Sequence, residues 1–299
     1  MRVGVMTIHF RQIPYPSNIL FGHLLLSGLS HCDAERVISA LLTDADRGEM
    51  VTSDSAIYTE AIRRVELLSK SAARHLTLIF RYQSARGESS LPPVIIVLEG
   101  ASATGKSMLA IQLTYELGAT RVLGTDTVRQ VLRSLHDEAE VPELFCHTYQ
   151  AHQYRQAGPE TLSAVIRGFI AQCEIVQPYV VRSVERISRE GAEAVVEGVH
   201  LIPGAVAHID GVIEVLVDPP PQVHRAMFVG KRKLGRLTTV ASDPRQRERE
   251  FDAARQIQEY MLTEAAKNNI HVIRLRDYES AMSEVRGLIL AKMEALLRG

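Results

Sequence analysis

The stretch VIIVLEGASATGKSMLAIQLTYELG, residues 94–118, constrains the fold more than any other part of the chain. Val94–Leu98 is a compact β-branched run without alternation, the pattern of a strand buried on both faces of a parallel sheet. Gly100, Ala101, Ser102, Ala103, Thr104, Gly105, Lys106 and Ser107 follow it and fit G-x-x-x-x-G-K-[ST] without deviation. A helical pattern begins at once. Each part has a chemical reason. The glycines let backbone amides turn towards phosphates, and the helix N-terminus favours negative charge. Lys106 reaches the β- and γ-phosphates, and Ser107 offers a hydroxyl to Mg2+. The loop therefore predicts ATP and Mg2+ as ligands.

The rhythm of strand, loop and helix continues downstream. Arg121–Thr125, Ala194–Gly198, Val212–Val217 and His271–Leu275 are further strand candidates, separated by helical patterns. Five such strands with helical crossovers imply an α/β fold: a P-loop NTPase-type parallel sheet flanked by helices. The long stretch from Val128 to Gly191 is expected to be mostly helix, because a structureless loop of that length is uncommon. Gln83–Pro93, rich in Ser, Gly and Pro, reads as a linker. Before it the pattern is small and mostly helical. Ser30 can cap a helix stopping at Gly48, and Thr52-Ser53-Asp54 can cap another. The segment before Ser17 can form a small hairpin. These shifts divide the chain into an accessory domain over 1–90 and a P-loop domain over 91–299.

Several residues near strand ends are candidates for chemistry. Thr125 ends the second strand candidate and Asp126 follows it, where strand C-termini face the ligand crevice. A carboxylate there can align an acceptor hydroxyl, accept its proton, hold Mg2+ through water, or cap the next helix. Arg129 and Arg133 share a helix face and can grip an anionic substrate. Glu197 lies at the end of the third strand candidate, where an acid can hold Mg2+, and His200, just after that strand, can meet a phosphate. After Asp218-Pro219-Pro220-Pro221, a helix-start signal, Lys231, Arg232, Lys233 and Arg236 lie close together. They read either as a basic lid near residues 224–250 that can close over the phosphoryl group or as a solvated charged face.

Composition narrows the classes. Lysine and arginine number 34 against 35 acidic residues, for a net charge of −1, so no basic excess points to nucleic acid. No apolar run approaches the ~18–20 residues needed to cross a bilayer. Cys32, Cys146 and Cys173 are far apart and odd in number, which suggests neither a disulfide framework nor a metal site. A reducing cytoplasm is the expected location.

Taken together, LEGASATGKSMLAIQLTYELGATRVLGTDTVRQVLR, VEGVHLIPG, HRAMFVGKRK and FDAARQIQEYMLTEAAKNNIHVI resemble, in order, the archaeal-type 2-phosphoglycerate kinase family. IPYPSNILFGHLLLSGLSHCDAERVISALL is similar to the ATP-cone-like domain that precedes the kinase in that family. The resemblance implies transfer of the γ-phosphate of ATP to the 3-hydroxyl of 2-phosphoglycerate, giving 2,3-bisphosphoglycerate. It implies a small phosphorylated acid as the partner, rather than nucleic acid or membrane. Kinases of another phosphorylated or polyol metabolite share much of this core. A nucleotide-sensing regulator is the reading from a different class.

Overall fold

The computed structural model describes residues 6–8, 13–15, 17–46, 53–88, 91–235 and 243–299. The chain forms two compact units, one of Met1–Pro92, Gln112–Thr120 and Val285–Gly299, the other of Pro93–Ile111 and Arg121–Glu284.

The first unit opens with an antiparallel hairpin of β1 (Met6–Ile8) and β2 (Ile13–Tyr15). Four helices follow: α1 (Ser17–Leu26), α2 (His31–Asp46), α3 (Asp54–Leu68) and α4 (Lys70–Glu88). Ser30 Oγ accepts the Asp33 amide and Ser53 Oγ the Ala56 amide, both at 3.1 Å, so both serines cap as expected. Gly48, the expected stop of α2, lies outside the described residues. Leu20, Leu24, Leu41, Ile57, Val65 and Leu76 form a fully buried core. His23 is buried among them, and its Nδ1 hydrogen-bonds to Tyr58 Oη at 2.5 Å. The linker expected over Gln83–Pro93 is shorter than its composition suggests, because α4 runs on to Glu88. Tyr82 explains the extension: it is fully buried and donates its hydroxyl to Pro92 O at 2.9 Å, which anchors the end of the helix.

The second unit carries the sheet. Strands β3 (Ile95–Glu99), β4 (Arg121–Gly124), β5 (Ala194–Gly198), β6 (Val212–Asp218) and β7 (His271–Arg274) are all parallel, in the order β4-β5-β3-β6-β7. The central strand β3 is buried along its whole length, as its unbroken apolar run requires. Its register pairs Glu99 with Gly198 of β5, so the crevice beyond these two strand ends is where the chain reverses direction across the sheet.

Helices α5 (Lys106–Leu117), α6 (Thr125–Arg133), α7 (Ala164–Arg189), α8 (Pro221–Gly235), α9 (Pro244–Lys267) and α10 (Tyr278–Arg298) connect or follow the strands. The stretch Val128–Gly191 is not helical throughout: between α6 and α7 only two 3-10 turns form, Pro142–Phe145 and Thr148–Gln153. Pro142, Gly158 and Pro159 interrupt any longer helix there. Arg155 fastens the segment to α7 through Ala171 O at 3.3 Å and Glu174 Oε2 at 2.7 Å. Among the described residues no helix is long and apolar enough to cross a membrane.

Candidate active site

The loop Gly100–Ser107 is held by bonds to its own backbone and to three neighbouring elements. Lys106 Nζ and Thr104 Oγ1 both donate to Ala101 O, at 3.0 and 3.2 Å. The Ala101 amide donates to Gln258 Oε1 on α9 at 2.9 Å, and Gln258 Nε2 donates to Val217 O at 3.1 Å and Asp218 Oδ1 at 3.2 Å. His224 on α8 meets Ser102 O through Nε2 at 2.9 Å. Burial lowers the pKa of His224, so its ring is neutral and Nε2–H is the donor to that carbonyl. Gly105 takes φ +91°, and a Cβ there would lie 2.5 Å from Leu275 Cδ2. The motif glycine is thus required both by its turn and by its neighbour.

Ser107, at the start of α5, donates its hydroxyl to Glu197 Oε2 at 3.0 Å. Glu197 lies near the end of β5 and is half-buried. A hydroxyl oxygen and a carboxylate at the mouth of a phosphate loop form a hard-oxygen donor set, the kind Mg2+ takes alongside nucleotide phosphates.

Asp126 is exposed in the first turn of α6, two residues beyond the end of β4. Gly124, not Asp126, occupies the helix N-cap, which leaves the carboxylate available to other partners. Arg129 donates to Asp126 Oδ1 through Nε at 3.2 Å and Nη2 at 3.0 Å. Its Nη1 donates to Leu144 O at 3.2 Å and Cys146 O at 2.6 Å. Desolvation pushes the Asp126 carboxyl up, but nearby positive charge, that of Arg129 and Lys106 included, outweighs it and holds the group below its ordinary value. Asp126 is therefore ionised at neutral pH and aimed by Arg129. Arg129 uses all three guanidinium nitrogens on the protein, so its work here is to orient Asp126 and tie down the 142–146 turn.

Its position in the sequence allows His200 to meet a phosphate. The structure instead buries it completely, with Nδ1 2.9 Å from Thr125 Oγ1 and Nε2 3.0 Å from Gln172 Oε1. Burial lowers its pKa to about 3, so the ring is neutral and both nitrogens are engaged. No nitrogen is left to bind an anion. Thr125, also fully buried, serves this contact rather than solvent. Arg133 donates to Gln130 Oε1 at 3.2 Å and sits over the Phe145 ring at 4.9 Å. Lys231, Arg232 and Lys233 lie on α8, but their side chains, and all of Arg236, lie outside the described residues.

Sequence reasoning missed several groups here. Gln258, His224 and Gln172 act through side-chain contacts with distant backbone and carry no spacing signal. Asp218 reads only as a helix start, yet it is buried, accepts from Gln258 and pairs with Arg255 at 3.3 Å and with Arg274. Glu99, directly before the loop, is fully buried. Desolvation first, and the neighbouring Glu214 second, raise its pKa well above the carboxylate range, so it is a neutral acid. Among the described residues no cluster of His, Cys, Asp and Glu side chains suits a metal ion, so any cation site depends on hydroxyl and phosphate oxygens as well.

No family model matches the chain. It is similar to a 2-phosphoglycerate kinase of Thermococcus kodakarensis, 25% identical over 95% of this chain and 96% of that one. A 2-phosphoglycerate kinase of Methanopyrus kandleri is 26% identical over 98% of this chain and 88% of its own. A third, of Pyrococcus horikoshii, is 29% identical over 69% and 67%. A solved structure of shikimate kinase from Aquifex aeolicus covers 69% of this chain and 99% of its own at 18% identity, with a TM-score of 0.34. The archaeal relatives support the family resemblance drawn from the motifs.

Proposed function

We propose that this relative of the archaeal 2-phosphoglycerate kinases is an ATP-dependent phosphotransferase. It transfers the γ-phosphoryl group of ATP to the 3-hydroxyl of 2-phosphoglycerate, with 2,3-bisphosphoglycerate as product. The observation that carries the reading is the Ser107–Glu197 pair at 3.0 Å beside an unbroken G-x-x-x-x-G-K-S loop. It supports the reading because it sets a hydroxyl and a carboxylate beside the phosphate loop, at the strand ends where Asp126 also lies.

The loop amides and Lys106 bind the phosphates of ATP. For Lys106 this means leaving the Ala101 carbonyl for the β- and γ-oxygens, where its charge meets the charge that develops in transfer. Ser107 and Glu197 are the residues that would hold Mg2+, which when bound neutralises phosphate charge. Asp126, kept ionised and aimed by Arg129, accepts the hydrogen bond of the acceptor hydroxyl. Its depressed pKa makes it a weak base. That suits a loose transition state, in which the attacking hydroxyl must be held in line more than deprotonated early. Arg133 and the basic residues Lys231, Arg232, Lys233 and Arg236 are proposed to meet the acceptor's anionic groups and to close over the phosphoryl group, excluding water. The first unit is proposed as an accessory domain, and the cytoplasm as the location.

Incubation with ATP, Mg2+ and a panel of phosphorylated three-carbon acids, read by phosphorus NMR, tests the assignment. A second phosphomonoester resonance with 2-phosphoglycerate is expected. Transfer to a polyol or a nucleoside monophosphate with none to 2-phosphoglycerate would overturn the acceptor. ATP binding without turnover on any acceptor would favour a sensor.

A further inference from the structure

Asp126 belongs to a closed hydrogen-bonded ring whose far side is Gln172, a fully buried residue of α7. Around the ring, Asp126 accepts from Arg129, whose Nη1 donates to Cys146 O at 2.6 Å. Gln172 Nε2 donates to Cys146 O at 3.4 Å and to Glu143 O. Gln172 Oε1 meets His200 Nε2 at 3.0 Å, and His200 Nδ1 meets the hydroxyl of Thr125 at 2.9 Å. Thr125 leads through the backbone back to Asp126.

The chemistry of the partners fixes every proton in this ring. Carbonyl oxygens only accept, so the amino end of Gln172 must face Glu143 O and Cys146 O, and its oxygen must face His200. That oxygen needs a donor, which places the imidazole proton on Nε2. Nδ1 of the neutral ring is then a lone pair and can only accept from Thr125 Oγ1. The Thr125 oxygen in turn accepts the His200 backbone amide at 3.4 Å. One side chain thereby sets the tautomer of His200, the rotor of Thr125 and, through Cys146 O, the carbonyl on which Arg129 leans.

We propose that Gln172 is a positioning residue for phosphoryl transfer: it locks His200 as the Nε2–H tautomer and so holds Thr125 and the Asp126–Arg129 pair in their working arrangement. This rests on the kinase reading above, and it adds a residue that touches neither nucleotide nor acceptor. Fixing the protons of such a ring removes alternative orientations of Asp126, which matters because small misplacements at the reacting centre cost rate rather than binding.

The test uses the whole protein with 15N-labelled histidine. In the wild type at neutral pH, His200 should show a pyrrole-like Nε2 and a pyridine-like Nδ1. An Nδ1–H ring, or an averaged mixture of tautomers, would overturn the proposal without any variant being made. Gln172→Leu should lower kcat on the order of 10–100-fold, by analogy with the loss of supporting groups around metal ligands, with the KM for ATP unchanged. Gln172→Glu keeps an acceptor for the Nε2 proton and should recover part of the loss. A folded Gln172→Leu enzyme with wild-type kcat, or one in which only the KM for ATP moves, defeats the proposal. If the wild-type protein phosphorylates no acceptor, the kinase reading fails, while the nitrogen signature of His200 still decides the ring by itself.

Discussion

The Ser107 hydroxyl donates to the Glu197 carboxylate at 3.0 Å, across 90 positions of sequence. This bond joins the end of the phosphate loop to the end of the neighbouring strand β5 and sets two hard-oxygen groups side by side. The sheet register explains why the two meet: Glu99, just before the loop, pairs with Gly198, just after Glu197. Strand pairing sets Glu197 level with Leu98, and the turn of the Gly100–Ser107 loop brings Ser107 back to it.

Glu197→Gln keeps the shape and a carbonyl oxygen for Ser107 but removes the charge. The fold should persist. Turnover should fall on the order of ten- to a hundredfold and need more Mg2+ for half-maximal rate, as losses of supporting carboxylates at metal sites do. A titration of turnover against Mg2+ reads both effects. An unchanged Mg2+ dependence would show that Glu197 only buttresses Ser107.

Lys106→Ala should cost transfer far more than stability. The bond from Nζ to Ala101 O is one hydrogen bond to a carbonyl, worth on the order of 1–3 kcal/mol for a charged donor. Losing one positioned charge on the transferring group should lower kcat by about 10²–10³-fold. Rate assays beside thermal melts separate the two.

Legibility in the sequence followed locality. The sheet strands are short β-branched runs, and each expected strand overlaps an observed one to within about a residue at either end, because strand identity is written in consecutive side chains. The phosphate loop is equally local. Gln258 meets the Ala101 amide across 157 positions, and Gln172 meets His200 across 28. Each is a single buried hydrogen bond between a glutamine side chain and a distant backbone or side-chain group with no periodic spacing, so nothing in the chain announces it. The place of His200 after β5 suggests the crevice, but the side chain turns inward and is fully buried. Gly198 permits this by leaving room for Thr125 beside it.

Asp126→Asn preserves the shape and loses the charge. Its kcat should drop within the ~10²–10⁴-fold range of general-base losses, with little change in ATP affinity. Nearby positive charge, that of Arg129 and Lys106 included, holds the wild-type carboxyl below its usual value against desolvation. The wild-type rate should therefore show no ionisation from this group at pH above ~5. A pH–rate profile of both enzymes reads this directly, and a collapse of ATP binding instead would make Asp126 a metal or structural residue.

Gly198→Ala should disturb the site from behind. A Cβ at this position would lie 1.8 Å from Thr125 Oγ1. Thr125 is fully buried, so it cannot swing into solvent and the backbone must give. Overpacking of this kind typically costs about 1–3 kcal/mol. Urea denaturation should register that loss, and kcat should fall with it because Thr125 precedes Asp126. Wild-type stability in this variant would mean that β5 and α6 can part without cost.

Acid sensitivity of the first unit should depend on His23. Burial lowers the pKa of this histidine from 6.5 to about 4, opposed by a hydrogen bond with the Leu117 backbone. A group with a depressed folded pKa binds fewer protons folded than unfolded between those two values, so stability rises with pH across that window. The contribution is fully present above pH 6.5 and is lost as pH falls towards 4. At pH 5 the loss should be about 2 kcal/mol for this one group, by the same linkage. His23→Gln carries no such proton and keeps a polar partner for Tyr58. It should be less stable than the wild type at pH 7.5, and the gap should narrow by about 2 kcal/mol at pH 5. Chemical denaturation of both proteins at the two pH values measures the gap. A constant gap would mean that His23 stays neutral in the unfolded chain or becomes charged in the folded one without penalty.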